Sequence, residues 1–216
     1  TNTLNTVFGT TTGTVGFCSY LYDNGIVKIV GTDGTTLVTI TAGGTVATSV
    51  SADLPTPHLP KPVFIDGYLL LVEEDTAAIW NSDLNDPLLW TAGSFINAEM
   101  DGDQLVSIDK INNYVLAFGS NTIEYFWDAG VETGSPLQRN ETPVKINRMV
   151  GGVSKFGNAI FYIGASESGQ LDVYKLQDFQ LEAVGTPTIT RYLNSRTEDF
   201  DDYVVVLSRV LGILFI

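Results

Sequence analysis

Apolar residues fall in short runs along most of the chain, and a turn dipeptide stands just before five of these runs. The dipeptides are Asn24-Gly25, Asp66-Gly67, Asn112-Asn113, Gly157-Asn158 and Asp201-Asp202. The runs behind them are Ile26–Val30, Tyr68–Val72, Tyr114–Phe118, Ala159–Ile163 and Tyr203–Leu207. A second run follows in four copies, at Leu37–Thr41, Thr76–Trp80, Thr122–Trp127 and Leu171–Leu176, and Phe17–Tyr22, Val63–Ile65, Leu105–Ile108 and Val150–Lys155 precede the dipeptides. Val, Ile, Phe, Tyr and Trp fit a pleated, half-buried surface, and Asn, Asp and Gly tolerate the positive φ of a tight hairpin. The pattern therefore predicts strands joined by hairpins. Ile111–Trp127 is its clearest instance, with Gly119-Ser120-Asn121 between two runs.

The dipeptides recur at intervals of 42, 46, 45 and 44 residues. A steady period in the forties built only from strands is the signature of a β-propeller of four-stranded blades. One small sheet cannot cover both its faces; stacking it between neighbours does. A β-sandwich, the rival architecture, needs no such long period. The expected fold is all-β, a β-propeller with about four to five blades visible, spanning 1–216 as one domain. Its copies are 16–62, 63–104, 105–148, 149–195 and a partial 196–216.

The segments between the runs carry further expectations. Thr1–Val15 reads as an outer strand or arm and Ala42–Ser51 as a strand or loop of small residues. Leu54–Pro62 holds four prolines and reads as an extended connector, because proline removes amide donors and fixes φ. Asn81–Trp90 is expected to form a polar turn closed by Trp90. Asp128–Pro143 is expected to be a long loop, the kind of segment that often carries function. No amphipathic run of helical length is expected. The chain opens at Thr1 without Met and closes on the apolar Val204–Ile216, so it reads as part of a longer chain. That final segment, broken by Ser208-Arg209, is too short to span a bilayer.

Composition narrows the function classes. The 25 acidic and 11 basic residues give a net charge of −14. Such a chain repels the phosphate backbone, so an ordinary nucleic-acid-binding module is disfavoured, while a wall that DNA slides past without sticking remains compatible. Hydrophobic residues at 44% rule out a disordered chain. One cysteine, Cys18, precludes an internal disulfide and sits in an apolar strand facing the core.

Candidate chemistry is sparse. The one histidine, His58, lies between prolines in the connector and is expected to be exposed or loosely packed, which leaves no Ser-His-Asp or Cys-His site. One His and one Cys cannot make a typical zinc site. Paired carboxylates are what glycosidases need, but Glu73-Glu74-Asp75, Asp101 with Asp103, and Asp199 with Asp201 and Asp202 all fall in turns. There Asp ordinarily bonds its own backbone. Asp83, Asn85 and Asp86 resemble the start of a calcium loop, with the wrong spacing and no closing Glu; an Asx-turn is the plainer reading. Asn140-Glu141-Thr142 matches a glycosylation sequon that matters only in a secretory pathway. Trp80, Trp90, Tyr125, Phe126 and Trp127 could form a sugar platform; packing between blades is the expected use. No catalytic, cofactor or metal residues are assigned.

Ala78-Ile-Trp-Asn-Ser-Asp-Leu-Asn-Asp-Pro87, Phe95-Ile-Asn-Ala-Glu99, Asp103-Gln-Leu-Val106 and Leu116-Ala-Phe-Gly-Ser-Asn-Thr-Ile-Glu-Tyr-Phe126 resemble one phage family. It is the tail hub, or nozzle, of short-tailed phages, often called the packaged-DNA stabilisation protein. Val150–Lys155 and Ala159–Ile163 continue the likeness, which covers about residues 63–193. The resemblance implies a virion protein without enzymatic activity or cofactor, located in the phage tail. It implies a homo-oligomeric six-fold ring below the portal and its adaptor. That ring lines the DNA exit channel, retains packaged DNA and docks fibres, spikes or a needle. Two alternatives stand beside it: a carbohydrate-binding or carbohydrate-cleaving propeller, and a host-surface binder using the Asp128–Pro143 loop.

Overall fold

A computed structural model describes residues 14–22, 24–100, 102–131, 133–141, 143–146, 149–166, 168–195, 206–208 and 213–215. The first sheet has strands β1 (Gly16–Leu21), β2 (Val27–Thr32), β3 (Leu37–Ile40) and β4 (Val46–Thr48) in sequential order. The second has β5 (Val63–Ile65), β6 (Tyr68–Val72), β7 (Ala78–Asp83) and β8 (Asp86–Asn97). The third has β9 (Leu105–Ile111), β10 (Tyr114–Gly119), β11 (Thr122–Asp128) and β12 (Leu137–Arg139), with β13 (Val144–Lys145) also pairing with β11. The fourth has β14 (Met149–Phe156), β15 (Ala159–Ala165), β16 (Leu171–Gln177) and β17 (Gln180–Ala183). Helix α1 (Pro187–Asn194) follows, and then a two-stranded pair, β18 (Val206–Ser208) with β19 (Ile213–Phe215). Four successive antiparallel meanders, of four strands each with β13 as a fifth strand on the third, are what the period predicted, each the unit of a propeller blade.

The turn dipeptides do what their chemistry suggests. Asp66 (φ 45°) and Gly67 (φ 94°) close a two-residue hairpin in which Ile65 pairs with Tyr68. Asn112 (φ 51°) turns β9 into β10, and Gly157 (φ 60°) turns β14 into β15. The fifth dipeptide, the acidic turn 198–202, Asp101 and most of the N-terminal arm lie outside the described residues.

The chain divides into two compact units. The first comprises Thr1–Ala98 with Trp127–Gln138. Its core is Tyr20, Val30, Leu37, Leu69, Leu71 and Trp90, flanked by Cys18, Phe64 and Trp80. These residues come from the first and second sheets, so each sheet covers a face of the other. The Tyr20 hydroxyl donates to the Gly67 carbonyl, which ties β1 to the second sheet's hairpin. A Cβ on Gly16 would overlap the Pro60 carbonyl, so only glycine lets β1 pass this close to the connector.

The second unit comprises Glu99–Phe126 with Arg139–Ile216. Its core joins Leu116, Phe118, Ile123 and Tyr125 of the third sheet to Ile160, Tyr162 and Leu176 of the fourth. Burying a phenylalanine or leucine side chain contributes roughly 1.5–3 kcal/mol, so the sum over such residues is what holds sheets this thin together.

Four expectations are corrected. Asn81–Trp90 is not one polar turn. The turn is only Leu84-Asn85, and a 12-residue strand, β8, runs through Trp90, which is 2% exposed. The Asp128–Pro143 loop contains a strand, β12, which adds to the third sheet. A helix does form: Thr186 caps α1 by accepting from the Ile189 amide, Pro187 starts the first turn, and Leu193 packs on Ile163 and Val173. The fourth concerns His58 and is described with the site. The Leu54–Pro62 connector, by contrast, forms no ladder strand, only an isolated bridge between His58 and Glu73.

Candidate functional site

His58 is 1% exposed, not solvated. Its Nδ1 lies 2.6 Å from the Pro55 carbonyl and its Nε2 2.6 Å from Thr32 Oγ1. A carbonyl accepts only, so Nδ1 carries the proton and donates, and Nε2 accepts from the Thr32 hydroxyl. Thr32 Oγ1 in turn accepts from the Gly34 amide, and the His58 amide donates to the Gly34 carbonyl. Burial holds the imidazole below its ordinary pKa, against the upward pull of the Pro55 carbonyl, Asp33 and Glu74. A neutral ring bonded at both nitrogens is a structural clasp between the connector and the β2–β3 turn. It has no free nitrogen for catalysis.

The other singled-out residues serve structure in the same way. Burial pushes the Cys18 thiol up to about 12, so it stays protonated and non-nucleophilic. Glu73 Oε2 accepts from Trp80 Nε1 at 3.3 Å, while Glu74 and Asp75 are exposed turn residues. Asp103 Oδ2 accepts from the Asn121 amide at 2.6 Å and pins the β10–β11 turn. Asp86 Oδ1 accepts from the Leu88 amide, an Asx-turn. Among the described residues, no three His, Cys, Asp or Glu side chains group as metal ligands. The Asn140 amide donates to the Tyr125 carbonyl, so the sequon asparagine sits against β11. Of the five aromatic residues, Trp80, Trp90 and Tyr125 belong to the two cores and Phe126 is fully buried. Trp127 departs from the expected packing and is 40% exposed.

An open cleft of about 860 Å³ lies within the first unit, between the second sheet and Asp128, Gly130, Val131, Thr133 and Gly134. Asp66, Asp83 and Asp128 line it together with Tyr68, Asn81 and Ser94. Asp83 Oδ1 accepts from the Thr91 hydroxyl at 2.8 Å, and Asp128 Oδ1 accepts from the Gly130 amide at 2.8 Å. Desolvation first, then the charges of Asp128 and Asp83, raise the pKa of the Tyr68 phenol, so those two carboxylates act on one spot. Sequence reasoning singled out Asp83 alone. Asp66 and Asp128 sit 17 and 45 residues away from it in the chain; Asp66 and Asp83 come from turns of the second sheet and Asp128 from the end of β11.

A sequence model of the family described as "Phage_stabilise: Bacteriophage P22 Gp10, beta-propeller" matches residues 3–210, nearly the whole chain. The chain belongs to this family. It is therefore a structural protein of the phage virion tail, and its four meanders are blades of a β-propeller. The family assignment agrees with the resemblance carried by Ala78–Pro87 and Leu116–Phe126, and it extends that likeness over the first sheet.

No curated protein matches the chain. Solved structures similar to it include a streptogramin B lyase, at 13% identity and TM-score 0.53, with 92% of this chain and 60% of that one covered. A catalytically inactive virginiamycin B lyase from Staphylococcus aureus with quinupristin is similar at 15% identity and TM-score 0.50, covering 81% and 56%. The chain thus spans less than two thirds of the length of these structures. At such identities the likeness is one of fold, and the lyases' chemistry stays with them.

Proposed function

We propose that this phage stabilisation protein is a building block of the tail hub, or nozzle, of a short-tailed phage. Copies assemble into a six-fold ring below the portal and its adaptor. The ring lines the DNA exit channel, retains the packaged genome and gives fibres, spikes or a needle a place to dock. The part played is mechanical and not catalytic.

The observation that carries this reading is the family match across residues 3–210. The chain's charge supports it. At −14, the protein repels phosphates, so a channel wall made of it would let DNA pass without holding it base by base. The site chemistry is consistent: His58 and Cys18 are both tied into packing.

The test is a phage carrying a nonsense mutation in this gene. Particles made without the protein should package DNA and then lose it, leaving empty heads and free, nuclease-sensitive genomes. Full heads that keep their DNA but fail to adsorb would instead favour a host-surface binder.

A further inference from the structure

The first hairpin carries a motif that the hub reading does not use. Asn24-Gly25 is the one place in the sequence where an asparagine precedes a glycine. Both residues are exposed in the turn between β1 and β2. An asparagine side-chain amide is an electrophile, and the next backbone nitrogen is the nucleophile nearest to it. At Gly25 no side chain shields that nitrogen, and even an added Cβ would meet nothing within 4 Å. The Ile26 amide donates to Asn24 Oδ1 at 3.0 Å. That bond draws charge from Cγ and is placed to steady the oxyanion that forms when a nucleophile adds there. The Gly25 amide is itself bonded to the Tyr22 carbonyl at 2.9 Å, so attack waits on a brief opening of the turn. Exposed turns open locally at little cost in free energy.

Other positions lack one part or another of this arrangement. Asn81 is only 3% exposed, and Asn194 holds its side-chain amide on the Leu171 and Thr190 carbonyls. Asp33-Gly34 and Asp66-Gly67 have the glycine but carry a carboxylate, a poor electrophile near neutral pH. We propose that Asn24-Gly25 is a self-modifying site, at which Asn24 loses ammonia by way of a succinimide and becomes a mixture of aspartate and isoaspartate. The Gly25 nitrogen gives its proton to hydroxide and attacks Asn24 Cγ. A bond from that nitrogen to Cγ forms, the Cγ–Nδ2 bond breaks, and ammonia leaves with a proton from water. Water then opens the ring. Cleavage at Cγ gives aspartate, and cleavage at the Asn24 backbone carbonyl gives isoaspartate. In all, one water enters and one ammonia leaves, and nothing is oxidised or reduced. Isoaspartate adds a methylene to the backbone inside the hairpin, where the Tyr22 amide donates to the Ile26 carbonyl at 2.9 Å. Both products also add a negative charge. The modification therefore loosens the turn that joins β1 to β2. This inference stands on the hairpin alone and does not require ring assembly.

The experiment keeps the intact chain warm at mildly alkaline pH in water enriched in heavy oxygen and follows it by mass spectrometry with peptide mapping. Asn24→Gln is the control, because its longer side chain would have to close a larger ring. The proposal expects the peptide holding Asn24 to exchange its side-chain amide for a carboxylate bearing one heavy oxygen, ahead of every other asparagine. It also expects a passing species lighter by one ammonia, isoaspartate among the products, and loss of this ammonia release in Asn24→Gln. The urea midpoint of the reacted wild-type chain should drop, and that of Asn24→Gln kept under the same conditions should not. An Asn24 peptide that keeps its mass while other asparagines react, equal ammonia release by Asn24→Gln, or reaction only in the urea-unfolded chain would overturn the proposal. An unchanged midpoint in the reacted chain would overturn the loosening of the hairpin.

Discussion

Arg139 Nε lies 3.1 Å from Glu124 Oε2, an ion pair in which the carboxylate is 2% exposed and the guanidinium side chain 32%. Glu124 also accepts the Met100 amide at 3.0 Å through Oε1. The glutamate belongs to the Thr-Ile-Glu-Tyr-Phe segment that carries the family resemblance, on strand β11, where its neighbours Ile123, Tyr125 and Phe126 are all buried. A charge so deep is tolerated because a cation and an amide meet it.

The two partners should fail unequally. Arg139→Ala leaves a buried carboxylate short of its cation, and the loss should be about 3 kcal/mol or more. Glu124→Gln keeps an acceptor for Met100, and the partly exposed Arg139 can turn to water, so its cost should be nearer to about 1 kcal/mol. Urea unfolding of both variants checks this. Equal losses would mean that the pair is not acting as a buried charge and its counter-ion.

His58 predicts an acid-sensitive stability. Its pKa is lowered in the folded chain, so between that value and the ordinary pKa of about 6.5 the unfolded state binds more protons. The contribution is present in full above about pH 6.5 and is lost as pH falls towards the folded-state pKa. The urea midpoint of the wild-type chain should therefore drop between about pH 7.5 and 5.5 by more than that of His58→Asn. Parallel pH profiles for the two would sink the clasp account.

Two aromatic residues of the third sheet should differ sharply in weight. Phe118 is fully buried and packs edge-on against Tyr162, at 6.0 Å between ring centres. Phe118→Ala should cost about 3–5 kcal/mol. Trp127, 40% exposed, should tolerate Ala within about 1 kcal/mol. Thermal unfolding separates the two, and a Trp127 loss as large as the Phe118 loss would show that the exposed ring has a structural partner.

Gly67 tests the hairpin chemistry. Its φ of 94° is strained for any side chain, and an added Cβ would lie 2.8 Å from Leu84 Cδ1. Gly67→Ala should therefore cost about 1–3 kcal/mol. A neutral effect would mean that the turn relaxes to another form and that the Tyr20 bond to the Gly67 carbonyl is expendable.

The repeating part of the fold is legible in the sequence because its signals are local. Asp66-Gly67 and Asn112-Asn113 announce hairpins by residue type, and Val, Ile and aromatic runs announce strands. The elements that escape a sequence reading break those local rules. The β16–β17 turn is made by Asp178 and Phe179, both at positive φ, and phenylalanine is no turn signal; its ring is held by packing on Tyr125, 4.5 Å away. Strand β8 is hidden because Asp86 and Pro87 look like turn residues, although Trp90 behind them is core. Helix α1 spans eight residues, too short for a helical period, and its legible trace is the cap Thr186-Pro187. His58 looks solvated because its prolines suggest a loose connector, whereas it is buried and bonded to Thr32, distant in sequence. The cleft escapes for the same reason: Asp66, Asp83 and Asp128, which line it, are far apart in the chain and come from two different sheets.

The most direct test of the hub assignment is a cryo-electron microscopy reconstruction of the phage tail, calculated at first without imposed symmetry. The account predicts a ring of propeller-bearing subunits between portal adaptor and tail tip, six copies around a DNA-wide channel, into which residues 14–195 of this chain fit. Density for the chain only at fibre tips, or none in the particle, would contradict it.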